Sequence, residues 1–556
     1  MASTPYFGSR ISPHVRRAAG LVVVLTALSW LARPSGQFWS LPNDYTATSL
    51  GVALNVQRWM EVGHRDVSAF QNFHYTVPMH LVSWAALRLA GPSNESPVVH
   101  SLRDATSFAR WNRRFTLMLT FCGAAFVWWL ARASSVSWAI LAALSFFTAD
   151  SARLYGLVLL GNDSFALLGA AIFFGAALTT LEKRSVTAWF VQGVLAGATL
   201  YLKLNYVAWA LGGLVCLAWL WWRESLDRHV VRRFILVYVA GISVAVVLIG
   251  WLFFGLTGLG QLLRTHAGIF LHTGRYGSGD TGIIDLRQAI STITWIIRSP
   301  DIWFVSAICI SAALWLIWRR RGDETWMKRG APIAVWILSA TVITYLAAVK
   351  HWDNHYVLPA TAAIPVLIVW LERWSSSRIQ LLVGGCIVVL LVRGAVLSVQ
   401  EARHRAATSA ADARDMNRML ELPLAPGQVR LWSWRTGGPQ SFALTSEWNS
   451  ATGGAYLQTL REIWPADRLY NIWQDEVDPI IGQKGRPPSQ AEWKYAAFAR
   501  GIFPTKEALP DYFQRCGEII NNRGFELLLV VERKTSNLPA GTQDPCEGGV
   551  PDSREP

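Results

Sequence analysis

Three stretches of this chain, Leu21–Trp30, Phe234–Leu256 and Ile379–Leu391, carry no charge and none of the polar alternation of a surface helix. A segment without a wet face fits lipid better than water, so the chain reads as an integral membrane protein. Composition agrees: only 16% of its 556 residues are charged and 52% are hydrophobic, against about 25% charged in soluble domains. The net charge of +14 does not call for nucleic acid, because the Arg and Lys residues cluster at the edges of apolar runs. Many of the 29 Trp residues, among them Trp128, Trp129, Trp219, Trp221, Trp222, Trp315 and Trp318, sit near the same edges, as an interfacial belt requires.

The run Ala18–Ala32 follows Arg16 and Arg17 and is followed by Arg33-Pro34 rather than by a small-residue cleavage site. It reads as an uncleaved first span with a cytoplasmic N-terminus. Val77–Ala90 is apolar but contains Pro78, His80 and Arg88 and falls short of the ~20 residues a crossing needs. It reads as an interfacial helix, and the charges downstream support this. If it does not cross, the basic connections at Arg132, Lys183-Arg184, Arg223–Arg233, Arg319–Arg329 and Arg373–Arg378 all fall in the cytoplasm; if it does, all move outside. The expected spans, about eleven, lie near 18–32, 115–131, 133–149, 164–181, 185–202, 204–222, 234–256, 302–318, 331–349, 356–371 and 379–398.

From about Glu401 charges, Pro and Gly return, and Val429–Trp434 and Phe525–Glu532 have strand character. The fold class is therefore mainly α: a polytopic membrane helix bundle over 1–399, with a long first outer loop carrying juxtamembrane helices, followed by a small α/β domain over 400–556. Span parity places that domain outside. Cys122, Cys216, Cys309 and Cys386 lie in apolar runs as inert thiols, whereas Cys516 and Cys546 lie in the polar tail and are expected to pair in an oxidising compartment. The Arg-rich, Lys-poor composition points to a bacterial source, hence an inner membrane with a periplasmic or extracellular outer face.

Polar residues suited to chemistry gather where spans meet the outer surface rather than midway through them. Asp44 lies just after span one. Asp150, Arg153 and Asp163 lie in the second outer loop, and Lys203 and Asn205 in the tight turn before span six. Lys350, His351, Asp353, His355 and Tyr356 crowd the turn before span ten.

In order and spacing these features resemble the C-type glycosyltransferase superfamily, in particular bacterial protein O-mannosyltransferase-like and aminoarabinose-transferase-like enzymes. The resemblance rests on an acid after span one, the amphipathic helix Thr48–Glu61, and a Pro-containing apolar helix ending at Gly91. It continues in Gly161-Asn162-Asp163, in Leu195–Asn205 (LAGATLYLKLN) and in His355–Pro365 (HYVLPATAAIP). It covers roughly residues 15–400. It implies an outer active site and a sugar donor carried on a polyprenyl phosphate, with Asp44 and Asp163 as the two loop acids and Lys203 and His355 near the lipid phosphate. Lys350, Tyr356, Arg153 and His74 complete the expected substrate-binding set. Two positions differ from the family pattern: Tyr45 follows Asp44 where a second acid is usual, and His355 stands where Arg is usual.

Transfer of a sugar from a lipid phosphate needs a base for the acceptor and cations for the departing phosphate. An ordinary carboxylate at the membrane surface is ionised at neutral pH, so Asp44 can serve as the base, and Lys203 and Lys350 can anchor phosphate. Plainer roles stay open beside these. Asp44 and Asp163 are also good helix caps, Lys203 can snorkel to the interface, and His351 with His355 can be a metal pair or ordinary turn residues. The 257–301 loop, with His266, His272, Arg275 and the stretch TGRYGSGDTG, is either a substrate flap or a flexible loop. Trp432, Trp434, Trp448, Tyr470, Trp473, Trp493 and Tyr495 suit sugar stacking or a core. The expected partners are a polyprenyl-phosphate sugar donor, a glycan, lipid or protein acceptor, and membrane lipids, with no nucleic acid. No cofactor is called for, and a divalent metal requirement is left open. The competing classes are a transporter, which would place acids within its spans, and a non-catalytic scaffold or degenerate transferase.

Overall fold

Apolar runs of the length read above form helices wherever the structure describes them. The computed structural model describes residues 12–31, 44–63, 77–92, 94–150, 152–153, 162–223, 226–273, 279–350, 354–433, 436, 438–450, 452–472, 474–478, 485–520 and 524–534. Among the described residues eight helices are long and apolar enough to cross a bilayer: Pro13–Leu31, Thr106–Ala133, Asp163–Lys183, Leu204–Trp222, Arg228–Leu271, Ala331–Lys350, His355–Trp374 and Ser377–Leu420. A ninth is added if Leu286–Arg298 and Trp303–Arg319, bent by 85° at their junction, count as one span. By the length and composition of these helices the chain is a multi-pass membrane protein. The expected count of eleven is therefore not reached on length alone. Two expected spans are the shorter helices Val136–Thr148 and Val186–Thr199, because the first tightens into a 3-10 turn over Ser145–Thr148 and the second ends in the turn before Lys203.

The chain divides into two compact units. The first comprises Met1–Arg33, Thr116–Val158 and Asn162–Ser398; the second comprises Pro34–Phe115, Leu159–Gly161 and Val399–Pro556. The segment after the first span, expected above as an outer loop, folds with the C-terminal region. The reason is a shared core. Leu50, Ala53 and Leu54 of the helix Asp44–Val62, and Ala86, Leu87 and Ala90 of Val77–Ala90, are buried with Met419, Trp432, Leu444 and Leu469.

Within the first unit, close approach of helices depends on missing side chains. Gly193 and Gly197, four apart on Val186–Thr199, abut the helix Arg228–Leu271; a Cβ at Gly193 would stand 2.1 Å from the Tyr238 carbonyl oxygen, and one at Gly197 2.6 Å from that of Ile242. Small residues at this spacing let backbones pack in contact, which matters most where lipid competes for the surface. Gly193→Val is expected to force the pair apart at a cost of about 3 kcal/mol, the upper end of overpacking effects. Gly260→Ala, with nothing within 4 Å of the added carbon, should be neutral. Folded yield by fluorescence size exclusion in detergent reads both, and equal yields would contradict this packing. Gly255, at φ 72 and ψ 178, breaks the Arg228–Leu271 helix in a conformation that side chains oppose. The span expected to end at 256 ends there, while the helix resumes beyond it.

The helix Leu286–Arg298 was not expected from sequence. Leu286, Ile290, Ile293 and Ile297 form an exposed stripe at i, i+4, i+7 and i+11, and Ala289 and Thr292 are buried. An apolar stripe left open beside Arg287 and Arg298 suits a helix lying in the membrane interface.

Among its described residues the second unit holds a six-stranded sheet: β1 (Val429–Ser433), β2 (Asp467–Asn471), β3 (Glu476–Val477), β4 (Trp493–Ala499), β5 (Gly517–Ile519) and β6 (Leu528–Arg533), in the order β3-β2-β1-β4-β6-β5. β1 runs parallel to β2 and β4, and the other pairings are antiparallel. Successive residues of a strand point to opposite faces, and here both faces are covered. Trp432, Tyr495, Ala497, Leu528 and Val530 enter one core, and Leu431, Ala496, Phe498, Leu529 and Val531 the other. Burial on both faces explains why these strands read as continuous apolar runs. Asp415, fully buried, accepts backbone N–H bonds from Glu526, Leu527 and Leu528 at 3.0, 2.7 and 3.0 Å and so fixes the start of β6. Trp432, Tyr470, Trp493 and Tyr495 are core residues, so they offer no sugar-stacking surface; Trp434 and Trp473 lie outside the described residues. Cys516 is buried and disulfide-bonded, and its expected partner Cys546 lies outside the described residues.

On the helix Pro439–Asn449, Glu447 accepts from the Thr452 hydroxyl at 2.8 Å, the Tyr456 N–H at 3.1 Å and the Ser450 hydroxyl at 3.2 Å. Burial outweighs these bonds and pushes its carboxyl up to about 7 from an ordinary 4.5. Folded protein therefore keeps this proton where unfolded protein has lost it. Stability attributable to Glu447 is intact below pH 4.5 and is lost as pH rises from 4.5 to about 7. Glu447→Gln is expected to become more stable relative to wild type over that window, by at most about 3 kcal/mol. Melting of the full chain in detergent at pH 5 and pH 8 checks this, and parallel pH profiles would contradict it.

Candidate functional site

Three helices of the first unit begin with a 3-10 turn, and each turn carries residues singled out above. Asn162–Phe165 leads into Ala166–Lys183, Leu204–Tyr206 into Val207–Trp222, and Asn354–Val357 into Leu358–Trp374. Lys203 precedes the second turn in an extended conformation, φ −170 and ψ 151.

These turns meet. Lys203 Nζ lies 3.3 Å from Asp163 Oδ2, with the two side chains only 6% and 3% exposed. The same ammonium stands 4.7 Å from the Tyr356 ring centroid, within cation–π range. Asn205 Nδ2 donates to the Tyr356 carbonyl at 3.0 Å. His355, 2% exposed, has its ring centroid 4.3 Å from that of Tyr356. The turns are held in register from below. Trp209 Nε1 donates to the Pro359 carbonyl at 3.0 Å, and Trp336 Nε1 to the Trp209 carbonyl at 2.9 Å. Tyr206 packs edge-on against Trp209 at 4.7 Å. Asp163 Oδ1 and the Tyr206 hydroxyl are buried with no hydrogen-bond partner among the described residues. The site thus offers a buried cation, fixed by one carboxylate oxygen and one aromatic face, with a second carboxylate oxygen in reserve.

The other expected residues lie elsewhere. Arg153 donates to Asp150 Oδ1 at 2.5 Å, the Gly394 carbonyl at 3.1 Å and the Ser398 hydroxyl at 3.0 Å. It ties the second loop to the helix Ser377–Leu420. Lys350 donates to the Phe270 carbonyl at 2.7 Å, which caps the last turn of Arg228–Leu271. Asp44 opens the helix Asp44–Val62, but its side chain lies outside the described residues, as do His74, His351 and Asp353. Among the described residues no group of three or more His, Cys, Asp or Glu side chains is placed to hold a metal ion. Tyr206 and Trp209 were missed in the sequence, since nothing distinguishes them from the other aromatic residues of their span. Asn205 was noted there only for its place in the turn.

No family model matches the chain, and no curated protein matches it. Among solved structures it is similar to the oligosaccharyltransferase of Archaeoglobus fulgidus in a complex with zinc and sulfate, with a TM-score of 0.48 and 11% identity over 88% of this chain and 69% of that one. The same enzyme tethered to an acceptor peptide gives a TM-score of 0.44 and 10% identity, covering 94% of this chain and 75% of that one. Both scores lie below 0.5, so the reading of the site rests on the chain's own residues.

Proposed function

We propose that this chain is a membrane glycosyltransferase. It moves a sugar from a polyprenyl-phosphate donor to a glycan, lipid or protein acceptor on the outer face of the membrane. In this reading the two short helices cross together with the longer ones, for about eleven spans, with basic connections in the cytoplasm and the C-terminal unit outside.

One observation carries the reading. Residues 163, 203 and 356, far apart in sequence, join as a buried carboxylate, ammonium and aromatic face at the starts of three apolar helices. A transporter would place such charges midway along its spans; these sit at span ends. In the transfer, an acceptor hydroxyl oxygen bonds to the anomeric carbon as the bond from that carbon to the phosphate oxygen breaks. Asp44 takes the hydroxyl proton as general base. The departing polyprenyl phosphate gains negative charge, which Lys203 offsets from a position preset by Asp163 and Tyr356, so little reorganisation is needed during the reaction. His355 and His74 are assigned to the donor-binding surroundings, whereas Arg153 and Lys350 are taken up by their bonds to the Gly394 and Phe270 carbonyls.

The test is donor cleavage by the full chain in proteoliposomes. Polyprenyl phosphate should be released in proportion to the sugar transferred. Absence of release with every polyprenyl-phosphate sugar and acceptor offered would contradict the assignment.

A further inference from the structure

Within the first unit, a groove of about 420 Å³ lies between the helices Pro300–Arg319 and Ser377–Leu420. Its lining includes the small residues Ala307, Ser311 and Ala312 and, on the same helix, Trp303 and Trp315. Small side chains on a membrane helix usually admit a second helix; here the trough stays open. The two Trp residues are separated by twelve positions, about 18 Å along a helix. That is close to the ~15 Å thickness of one leaflet's hydrocarbon. An unfilled apolar trough forfeits dispersion contacts along its whole length, so a chain of methylenes is its natural filling.

Among the described residues Arg378 is the one charged residue lining the groove. It is exposed, and no ion pair joins it among the described residues. The Arg319 guanidinium stacks 4.8 Å over the ring of Trp315, which also lines the groove. Two guanidinium groups beside an apolar trough match a phosphate with an attached acyl chain.

We propose that this groove binds one acyl chain of an anionic phospholipid from the leaflet on the basic side of the protein, with Arg378 on the headgroup phosphate. This site is separate from the Asp163–Lys203 cluster, and its function does not depend on the transferase reading.

The test uses the full chain released from nanodiscs and weighed by native mass spectrometry. Phosphatidylglycerol and phosphatidylcholine of matched acyl chains are the probes. Wild type is expected to retain a single phosphatidylglycerol. Arg378→Gln should weaken retention about tenfold, and Ser311→Phe, which fills the trough, should abolish it. Equal retention of phosphatidylcholine, unchanged retention in Ser311→Phe, or a dimer mass in place of the lipid each overturns the proposal. Because Ser311→Phe can also disturb folding, unmodified protein is labelled with a photoactivatable phosphatidylglycerol. Crosslinks should map to residues 300–319; crosslinks mapping only elsewhere overturn the proposal.

Discussion

Lys203→Met is expected to destabilise the protein by about 3–5 kcal/mol, the usual result of leaving one member of a buried ion pair uncompensated. Its partner would be a carboxylate only 3% exposed, with its other oxygen already lacking a hydrogen-bond partner among the described residues. The magnitude separates the readings that the sequence left open. A lysine that merely snorkels would cost almost nothing to replace, because its ammonium would sit in water. An Asp163 that served only as a helix cap would cost about 1 kcal/mol. A buried pair behaves differently in a further respect: its two members are coupled. Asp163→Asn combined with Lys203→Met should therefore be less damaging than the sum of the two single changes, with a coupling of about 2 kcal/mol or more. Thermal unfolding of the full chain in detergent, read for all four members of the cycle, checks this. Strict additivity would contradict the pairing.

How much of this was legible in the sequence depends on how local the cause is. The helix Val77–Ala90 was read with the bounds the structure gives it, and Thr48–Glu61 was read inside the observed Asp44–Val62, because apolar periodicity and Pro or Gly punctuation act over a few residues. The strand runs at Val429 and near Phe525 were legible for the same reason. Asp163, Lys203 and Tyr356 were each read as residues of turns between spans, and they do lie at such turns. That Lys203 is spent partly on Asp163, and that Lys350 and Arg153 instead bond the Phe270 and Gly394 carbonyls, depends on which helix ends meet. Sequence spacing does not carry that information. The folding of the segment after the first span with the C-terminal sheet escaped for a related reason, since Leu50 and Trp432 share a core across a separation that no local pattern spans. Leu286, Ile290, Ile293 and Ile297 recur at helical spacing, so the helix Leu286–Arg298 is legible in its local pattern although the stretch is expected above as a loop.

The second large effect concerns Asp44. General-base assistance contributes about 10²–10⁴ in rate, and an amide in place of the carboxylate keeps the shape of the side chain while removing its basicity. Asp44→Asn is therefore expected to fold and insert like wild type, since any capping role is retained by Asn, yet to lose at least about 10² of the transfer rate. A scaffold, or a chain in which Asp44 only begins a helix, would show no such separation between abundance and chemistry.

The most direct test of the central claim is transfer of labelled sugar from polyprenyl-phosphate donors in membranes holding equal amounts of wild type or Asp44→Asn. Transfer by wild type and its loss in the variant is the predicted result. Equal transfer by the two, or no transfer by wild type to any acceptor offered, would contradict it.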